Sequence, residues 1–127
     1  MGIDPTDNAG PFCAVWVYSA RPEAFERAAR FALLNTGYDN EVVLVFTEEG
    51  TRLMQTDRTL QLVENPQFSE LIEALVARGV TFELDAGSAR RAGFVETLSS
   101  LIPTLRVADA GRIADLTTGA RVCARYG

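Results

Sequence analysis

The sequence predicts a three-layer α/β/α sandwich built on a mainly parallel, five-stranded sheet. Two continuous apolar runs, FCAVWVY and EVVLVFT, have the composition of strands that are covered on both faces. Between and after these runs, apolar residues recur at helical spacing, and strand-like and helix-like segments alternate to the end of the chain. Such alternation favours right-handed β-α-β crossovers, which pack helices against a parallel sheet.

The first three elements are predicted as strand, helix and strand. The first strand covers 12–18, and Pro22 marks the start of a helix because proline fits the first helical turn. Gly37 closes this helix, since glycine commonly follows the last helical residue. The second apolar run forms a strand over 41–47.

The segment 48–64 has the least regular pattern in the chain. We expect a short helix near 50–54, followed by an irregular excursion over one edge of the sheet. The excursion carries Leu60, Leu62 and Val63 with little local structure to cover them. Exposed apolar side chains of this kind predict a partner surface, and therefore an oligomer.

The clearest helix of the chain begins at Asn65 and Pro66, a capping residue followed by proline. It ends at Gly79, and its apolar residues have the spacing i, i+3, i+4, i+7 and i+8. They are Phe68, Leu71, Ile72, Leu75 and Val76. A short third strand follows at 80–84.

The last third of the chain is predicted as helix, strand, helix and strand. Ser88 is expected to cap the first of these helices, which continues to about Ile102. A brief fourth strand at 105–108, a helix at about 110–117 and a final strand at 120–126 complete the fold.

Composition indicates a single domain. At 127 residues, with 47% hydrophobic and 23% charged residues, the chain is long enough for one hydrophobic core. We expect this domain to cover 12–127 and residues 1–11 to form a flexible arm. No apolar run reaches the roughly 18–20 residues of a membrane helix, and the N-terminus lacks the pattern of a secretory signal. The expected location is therefore the cytoplasm, without a membrane partner.

The residue inventory excludes many kinds of chemistry. The chain has no histidine, and all 12 of its basic residues are arginines. The usual general base, the commonest metal ligand and any Schiff-base or P-loop lysine are therefore absent. A net charge of −5 without a basic run argues against nucleic acid as a partner. We expect no metal and no cofactor.

The two cysteines are weak candidates for a reactive site. Cys13 lies near the beginning of the first strand and Cys123 inside the last one, and they do not have the spacing of a metal site. Buried cysteines usually behave as small hydrophobic residues, and we expect both to lie in the core. Arg121 and Arg125 flank Cys123, and a nearby cation can lower a thiol pKa, so Cys123 stays open as an alternative site.

Asp85 follows the third strand, at the end of the sheet where open α/β folds bind ligands. If the second and third strands are neighbours, Glu48 comes close to Asp85. A carboxylate pair of this kind can act as acid and base or hold a divalent cation. The alternative is that Asp85 caps the DAGS turn by accepting a backbone hydrogen bond.

Arg90 and Arg91 are placed in the first turn of the helix that Ser88 would cap. Helix N-termini bind anions and guanidinium groups add forked donors, so this turn predicts a small-anion site. Tyr18 and Ser19, at the end of the first strand, would form its opposite wall. A solvated face or an intersubunit salt bridge is the alternative for the two arginines.

Four segments of the chain carry a resemblance to a known family. They are RAARFALLNTGYDNEVVLVFTEEGTRLM, NPQFSELIEALVARGVTFEL, SARRAG and GRIADLTTGARVCARYG. These segments resemble the DsrE/DsrF-like family, which includes the Tus sulfur-relay subunits. The first is similar to the family's first helix, second strand and the turn that follows them, and the second to its third helix and third strand. The third resembles the basic, glycine-ended turn of active members, and the fourth resembles the last helix and strand.

The resemblance implies a five-stranded parallel sheet and assembly into trimers or hexamers. In active members of the family, a cysteine just past the third strand carries sulfur as a persulfide. Its position falls on Asp85 or Ala86 in this chain, and neither residue is a cysteine.

The sequence therefore predicts a non-catalytic, oligomeric binding or scaffold subunit linked to intracellular sulfur trafficking. It would act as a homo-oligomer or beside another sulfur-relay protein. Its expected ligand pocket comprises Tyr18, Ser19, Glu48, Asp85, Ser88, Arg90 and Arg91. One alternative is a sulfur carrier that uses Cys123 or Cys13, and another is a small enzyme built on Asp85 and Glu48. Asp85 and Cys123 are only weak candidates for catalysis.

Overall fold

Strands and helices alternate along the chain, as the sequence predicts. The computed structural model describes residues 12–37, 41–93, 102–120 and 122–127. The strands are β1 (Phe12–Val17), β2 (Glu41–Phe46), β3 (Thr81–Asp85), β4 (Leu105–Ala108) and β5 (Val122–Tyr126). The α-helices are α1 (Pro22–Thr36), α2 (Thr56–Glu64), α3 (Pro66–Ala77), α4 (Ala86–Ala92) and α5 (Ala110–Gly119). A 3₁₀ helix at Glu48–Met54 follows β2.

The five strands form one parallel sheet in the order β4-β3-β2-β1-β5. The chain moves from β1 to β4 in one direction and then returns past β1, which places β5 at the opposite edge. Because the strands are parallel, the carboxyl ends of β1, β2 and β3 lie side by side at one end of the sheet. The predicted α/β fold with a parallel five-stranded sheet is confirmed.

The larger core lies on the sheet face that packs against α1 and α3. Phe46 stacks between Phe25 and Phe82, with ring centroids 6.2 Å and 6.0 Å away. All three side chains are fully buried, and each such burial stabilises the fold by roughly 1.5–3 kcal/mol. On the opposite face, a smaller core forms where Trp16 and Leu116 pack together beneath α5.

Two helix starts follow the predicted chemistry. Pro22 is the first residue of α1. Asn65 caps α3, since its side-chain oxygen accepts a hydrogen bond of 3.0 Å from the backbone N–H of Gln67. This bond satisfies one of the backbone N–H groups that have no acceptor within the helix.

The irregular excursion expected after residue 54 is wrong, because this segment is α2. Leu62 is only 4% exposed, and Val63 packs against the larger core. Of the three apolar residues that were expected to lack cover, only Leu60 is exposed, at 44%. The argument that this segment needs a partner surface therefore fails, because α2 buries most of its apolar surface within its own chain.

The expected cap of the next helix is also wrong. Asp85, not Ser88, caps α4, and Ser88 lies inside the first turn. The helix ends at Ala92, before Gly93, whose φ of 82° is the left-handed conformation that glycine adopts without strain.

Two expectations fall on residues outside the described ranges: the flexible arm at 1–11 and the continuation of a helix over 94–101. None of the helices in the ranges that the structure describes has the length and apolar composition needed to cross a membrane.

Candidate functional site

A hydrogen-bonded network joins the carboxyl ends of β2 and β3. The Asp85 carboxylate is at its centre, where Oδ2 accepts hydrogen bonds from Thr47 Oγ1 at 2.8 Å and from Ser88 Oγ at 2.9 Å. Its other oxygen, Oδ1, accepts a 3.0 Å bond from the backbone N–H of Gly87, which is the cap of α4. Asp85 therefore has the capping role that the DAGS turn suggests, and it also ties α4 to β2.

Ser88 extends this network to the surface. Its hydroxyl oxygen accepts hydrogen bonds from the backbone N–H of Glu48 at 2.9 Å and from Arg91 Nη2 at 3.1 Å. With the proton donated to Asp85, the hydroxyl uses its one donor and two acceptor sites. Ser88 is 3% exposed, so this saturation matters, because a buried polar group without partners is costly.

The backbone beside Ser88 is strained and tightly packed. Glu48 has a φ of 50°, the only positive value among the described residues other than glycine, and such a conformation costs about 1–3 kcal/mol. Two residues later, Gly50 lies against the end of β1, where an added Cβ would come within 2.0 Å of the Val17 carbonyl oxygen. The turn after β2 is thus held by a serine hydroxyl on one side and by backbone contact on the other.

Arg91 points back over this turn from the last turn of α4. Its Nη2 lies 3.9 Å from Glu48 Oε2, and both side chains are more than half exposed. An exposed pair at this distance contributes about 0–1 kcal/mol to stability. The pair leaves hydrogen-bonding capacity on both side chains, since 3.9 Å is too long for a hydrogen bond.

A cleft of ≈ 260 Å³ opens above the network. Its lining combines two acidic, two basic and two small residues: Glu48, Glu49, Arg52, Arg91, Ser88 and Ala92. Arg52 Nε donates a 2.6 Å hydrogen bond to Glu49 Oε2, which pairs the second guanidinium with the second carboxylate. The cleft is thus polar and balanced in charge.

The expected placement of the two arginines at the start of α4 is wrong. Arg90 and Arg91 lie in the last turn of a seven-residue helix, not in its first turn. The first turn has its own acceptor, because Asp85 caps it. Arg90 is exposed and does not belong to the cleft lining.

Tyr18 and Ser19 do not line the cleft. The Tyr18 ring lies against Trp16, with ring centroids 6.5 Å apart, on the face that α5 covers. Ser19 Oγ accepts a hydrogen bond of 3.0 Å from the backbone N–H of Arg21 and so stabilises the turn before α1. Of the predicted pocket residues, the structure places Glu48, Ser88 and Arg91 in the cleft lining and Asp85 in the network beneath it.

Asp85 and Glu48 follow adjacent strands, as expected, but their carboxylates have different partners. Asp85 faces Thr47 and Ser88, whereas Glu48 faces Arg91. Among the residues that the structure describes, no group of three or more acidic or cysteine side chains could hold a metal ion.

Cys13 lies in the core, as predicted. Its side chain is 0% exposed. Burial raises the pKa of the Cys13 thiol to about 11, because a thiolate would lose its hydration, and the nearby Cys123 adds a smaller effect in the same direction. A thiol with this pKa is almost entirely protonated at neutral pH and is a poor nucleophile.

Cys123 is exposed, and the expectation that it lies in the core is wrong. The reason is its place in the sheet, since β5 is an edge strand and Cys123 and Arg125 are both exposed there. Cys123 is in register with Ala14, near the amino end of β1. It therefore lies toward the opposite end of the sheet from the cleft.

Sequence reasoning missed Thr47, whose hydroxyl bridges β2 and β3 at the base of the cleft. A signal was available, because Thr47 immediately follows an apolar strand and the carboxyl ends of neighbouring parallel strands meet. It also missed Arg52, which enters the cleft only because the 3₁₀ helix turns it toward Glu49.

The chain is similar to one protein family and to several solved structures. A model of the DsrE/DsrF-like family matches residues 15–122. One similar structure is the crystal structure of the ychN protein from E. coli, with a TM-score of 0.72 and a sequence identity of 14%. The match covers 91% of this chain and 99% of that chain. BT1422, a conserved protein of unknown function from Bacteroides thetaiotaomicron, is 15% identical, with a TM-score of 0.57 and coverage of 97% and 99%. No curated protein sequence matches the chain.

Proposed function

The chain belongs to the DsrE/DsrF-like family, as its sequence predicts, and we propose that it is a non-catalytic binding or scaffold subunit in intracellular sulfur trafficking. Membership of this family suggests a role related to the sulfur relay. The proposal assigns ligand binding to the charged cleft. It also places the protein in the cytoplasm, in a trimer or hexamer of its own copies or beside another sulfur-relay protein.

The observation that carries the proposal is the junction between β3 and α4. The family resemblance implies a persulfide-forming cysteine at this point, and Asp85 and Ala86 stand there instead. Asp85 uses both of its carboxylate oxygens to cap α4 and to accept the Thr47 and Ser88 hydroxyls. A residue in this role fixes the turn and provides no sulfur atom that could be transferred.

The assembly part of the proposal rests on the family, whose members often oligomerise. The described surface adds little to it. Its exposed large hydrophobic residues, Leu34, Leu60 and Val107, lie on three different elements, and single exposed apolar residues are common on monomers. Light scattering coupled to size-exclusion chromatography tests this part, and a monomer at all concentrations would contradict it.

Mass spectrometry after treatment with a persulfide donor tests whether the chain carries sulfur. We expect the native protein to gain no stable sulfur atom on Cys13, because that thiol is buried and protonated. After the donor has been removed, the native protein and the Cys123→Ser variant should each keep the mass that they had before treatment.

A sulfur carrier that uses Cys123 is the second candidate function, and the exposure of this thiol favours it. It predicts that native protein gains one sulfur atom and passes it to an acceptor thiol. If the gain disappears in Cys123→Ser and persists in Cys13→Ser, the non-catalytic proposal is wrong, and the reactive site lies on β5.

A further inference from the structure

The charges that line the cleft are arranged as two opposite pairs. Arg52 and Glu49 are joined by a hydrogen bond of 2.6 Å, and Arg91 and Glu48 face each other at 3.9 Å. The first pair is closed, because Nε and the carboxylate already satisfy one another. The second pair is open, and its two groups are the ones that a ligand can reach without breaking a hydrogen bond between them.

A simple anion is a poor match for this arrangement. Each guanidinium lies beside a carboxylate, so an anion that approaches Arg91 is repelled by Glu48. The chain as a whole carries a net charge of −5, which gives no long-range attraction for anions. A simple cation has the converse difficulty, because binding at Glu48 brings it close to Arg91.

A small zwitterion fits both groups at once. We propose that the cleft binds a molecule of amino-acid size, with its ammonium group on Glu48 and its carboxylate or sulfonate group on Arg91. Charge-assisted hydrogen bonds form at each end of the ligand. Because each charge of the pair then faces an opposite charge of the ligand, the ligand avoids the net repulsion that a single charge would meet. This inference rests on the proposed function, which assigns ligand binding to the cleft.

The size of the cleft limits the ligand to a small molecule. Its volume of ≈ 260 Å³ lies just below the roughly 300–1,000 Å³ that is common for ligand pockets. An amino acid or an aminosulfonate is small enough for this space.

Ser88 positions both ends of the site. Its hydroxyl accepts from the backbone N–H of Glu48 and from Arg91 Nη2, so one buried group sets the separation of the carboxylate and the guanidinium. Glu48, whose backbone N–H donates this hydrogen bond, is also the residue with the positive φ. Strained backbone that persists beside a cleft is a recognised sign of a functional site.

Nuclear magnetic resonance titration tests the proposal with glycine and taurine as zwitterionic probes. Acetate, methanesulfonate and methylammonium, at the same ionic strength, represent the separate ends. We expect glycine or taurine to shift the amide resonances of Glu48, Ser88 and Arg91 in a saturable manner, and each single-charge probe to bind about tenfold more weakly.

Variants identify the groups that bind. Glu48→Gln and Arg91→Gln should each weaken zwitterion binding about tenfold, whereas Arg90→Gln, an exposed neighbour outside the lining, should leave it unchanged. Thermal melting of each variant shows whether it is folded. If a variant melts early, titration of the native protein at high salt, which screens exposed charges, provides the same test.

The outcomes of these experiments distinguish failure of the zwitterion proposal from failure of the proposed function. Saturable binding of methanesulfonate or acetate that Glu48→Gln strengthens would overturn the zwitterion and leave the cleft as an anion site. Absence of saturable shifts with every probe would overturn the zwitterion as well. The persulfide experiment on Cys123 then decides independently whether the non-catalytic assignment stands.

Discussion

The β3–α4 junction and the edge strand β5 are built in opposite ways. At the junction, Asp85 and Ser88 have closely bonded side chains that join β2, β3 and α4. On β5, alternate side chains are exposed, and Cys123 is one of them. The β3–α4 junction thus has an ordered polar network but no thiol. The exposed thiol of Cys123 lies on β5, which is an edge strand and pairs only with β1.

This difference favours the proposed binding function over a transfer function. A transferable sulfur atom requires a thiol that is both accessible and activated by its surroundings. The chain supplies accessibility at Cys123 and a built polar environment at Asp85, but it supplies them at different ends of the sheet.

The largest expected contrast is the reactivity of the two cysteines. In native protein at pH 8, we expect Cys123 to react with a disulfide reagent more than about a thousandfold faster than Cys13, which corresponds to ~4 kcal/mol. Cys13 is buried and its pKa is raised to about 11, so it reacts mainly through opening of the fold. Kinetics of thiol release measure both rates, with Cys13→Ser and Cys123→Ser to assign them. Equal rates for Cys13 and Cys123 would contradict the expected difference in reactivity.

Gly50 is expected to show how tightly the turn at the cleft is built. A Cβ at this position would come within 2.0 Å of the Val17 carbonyl oxygen. Backbone must move to accept it, so we expect Gly50→Ala to lower the free energy of unfolding by about 3 kcal/mol or more. Chemical denaturation measures the change.

Gly37 supplies the matched control for this substitution. Its added Cβ would meet only the Leu34 carbonyl oxygen at 3.6 Å, and its φ of −76° suits any residue. Gly37→Ala should therefore change the free energy of unfolding by less than about 1 kcal/mol. A similar loss in both variants would show that the contact with β1 is not what constrains Gly50.

Two aspartates that cap helices after parallel strands allow a further test. Asp109 caps α5 by accepting a hydrogen bond from the backbone N–H of Arg112 at 2.9 Å, which is a simple cap. Asp85 caps α4 and also accepts the Thr47 and Ser88 hydroxyls. We expect Asp85→Ala to cost about 2–3 kcal/mol and Asp109→Ala about 1 kcal/mol, as measured by denaturation. Equal costs would mean that the network adds nothing to the cap.

The strands were predictable from sequence because buried parallel strands form continuous apolar runs. The helix α2 was not, since one of its two buried positions is polar. Thr59 is 0% exposed, and its hydroxyl donates a 2.7 Å hydrogen bond to the Leu53 carbonyl oxygen. A buried threonine of this kind interrupts the helical spacing of apolar residues. Its hydrogen-bond acceptor can be identified only once the fold is known.

The site was predictable only in part, for related reasons. Adjacent strand ends brought Glu48 near Asp85, as the chain order suggests. Choosing Ser88 as the cap instead of Asp85 moved the start of α4 by three residues and placed Arg91 at the wrong end of the helix. The exposure of Cys123 depends on the strand order, which places β5 at an edge and which local sequence does not contain.

The smallest expected effect has the opposite sign and concerns the strain at Glu48. Its φ of 50° is costly for any residue with a side chain, and glycine adopts it freely. We therefore expect Glu48→Gly to raise the free energy of unfolding by about 0.5–1 kcal/mol, after the greater flexibility of glycine in the unfolded chain is taken into account.

Glu48→Ala isolates the backbone contribution, because alanine removes the carboxylate but keeps the strain. The exposed contact with Arg91, at 3.9 Å, contributes little, so Glu48→Ala should stay within about 0.5 kcal/mol of the native protein. A stabilised glycine variant beside a neutral alanine variant would mean that the turn at the cleft retains strain for the orientation of Glu48. If both variants lose stability equally, the carboxylate of Glu48 itself stabilises the turn. The turn then differs from β5 only in its side-chain contacts and not in backbone strain.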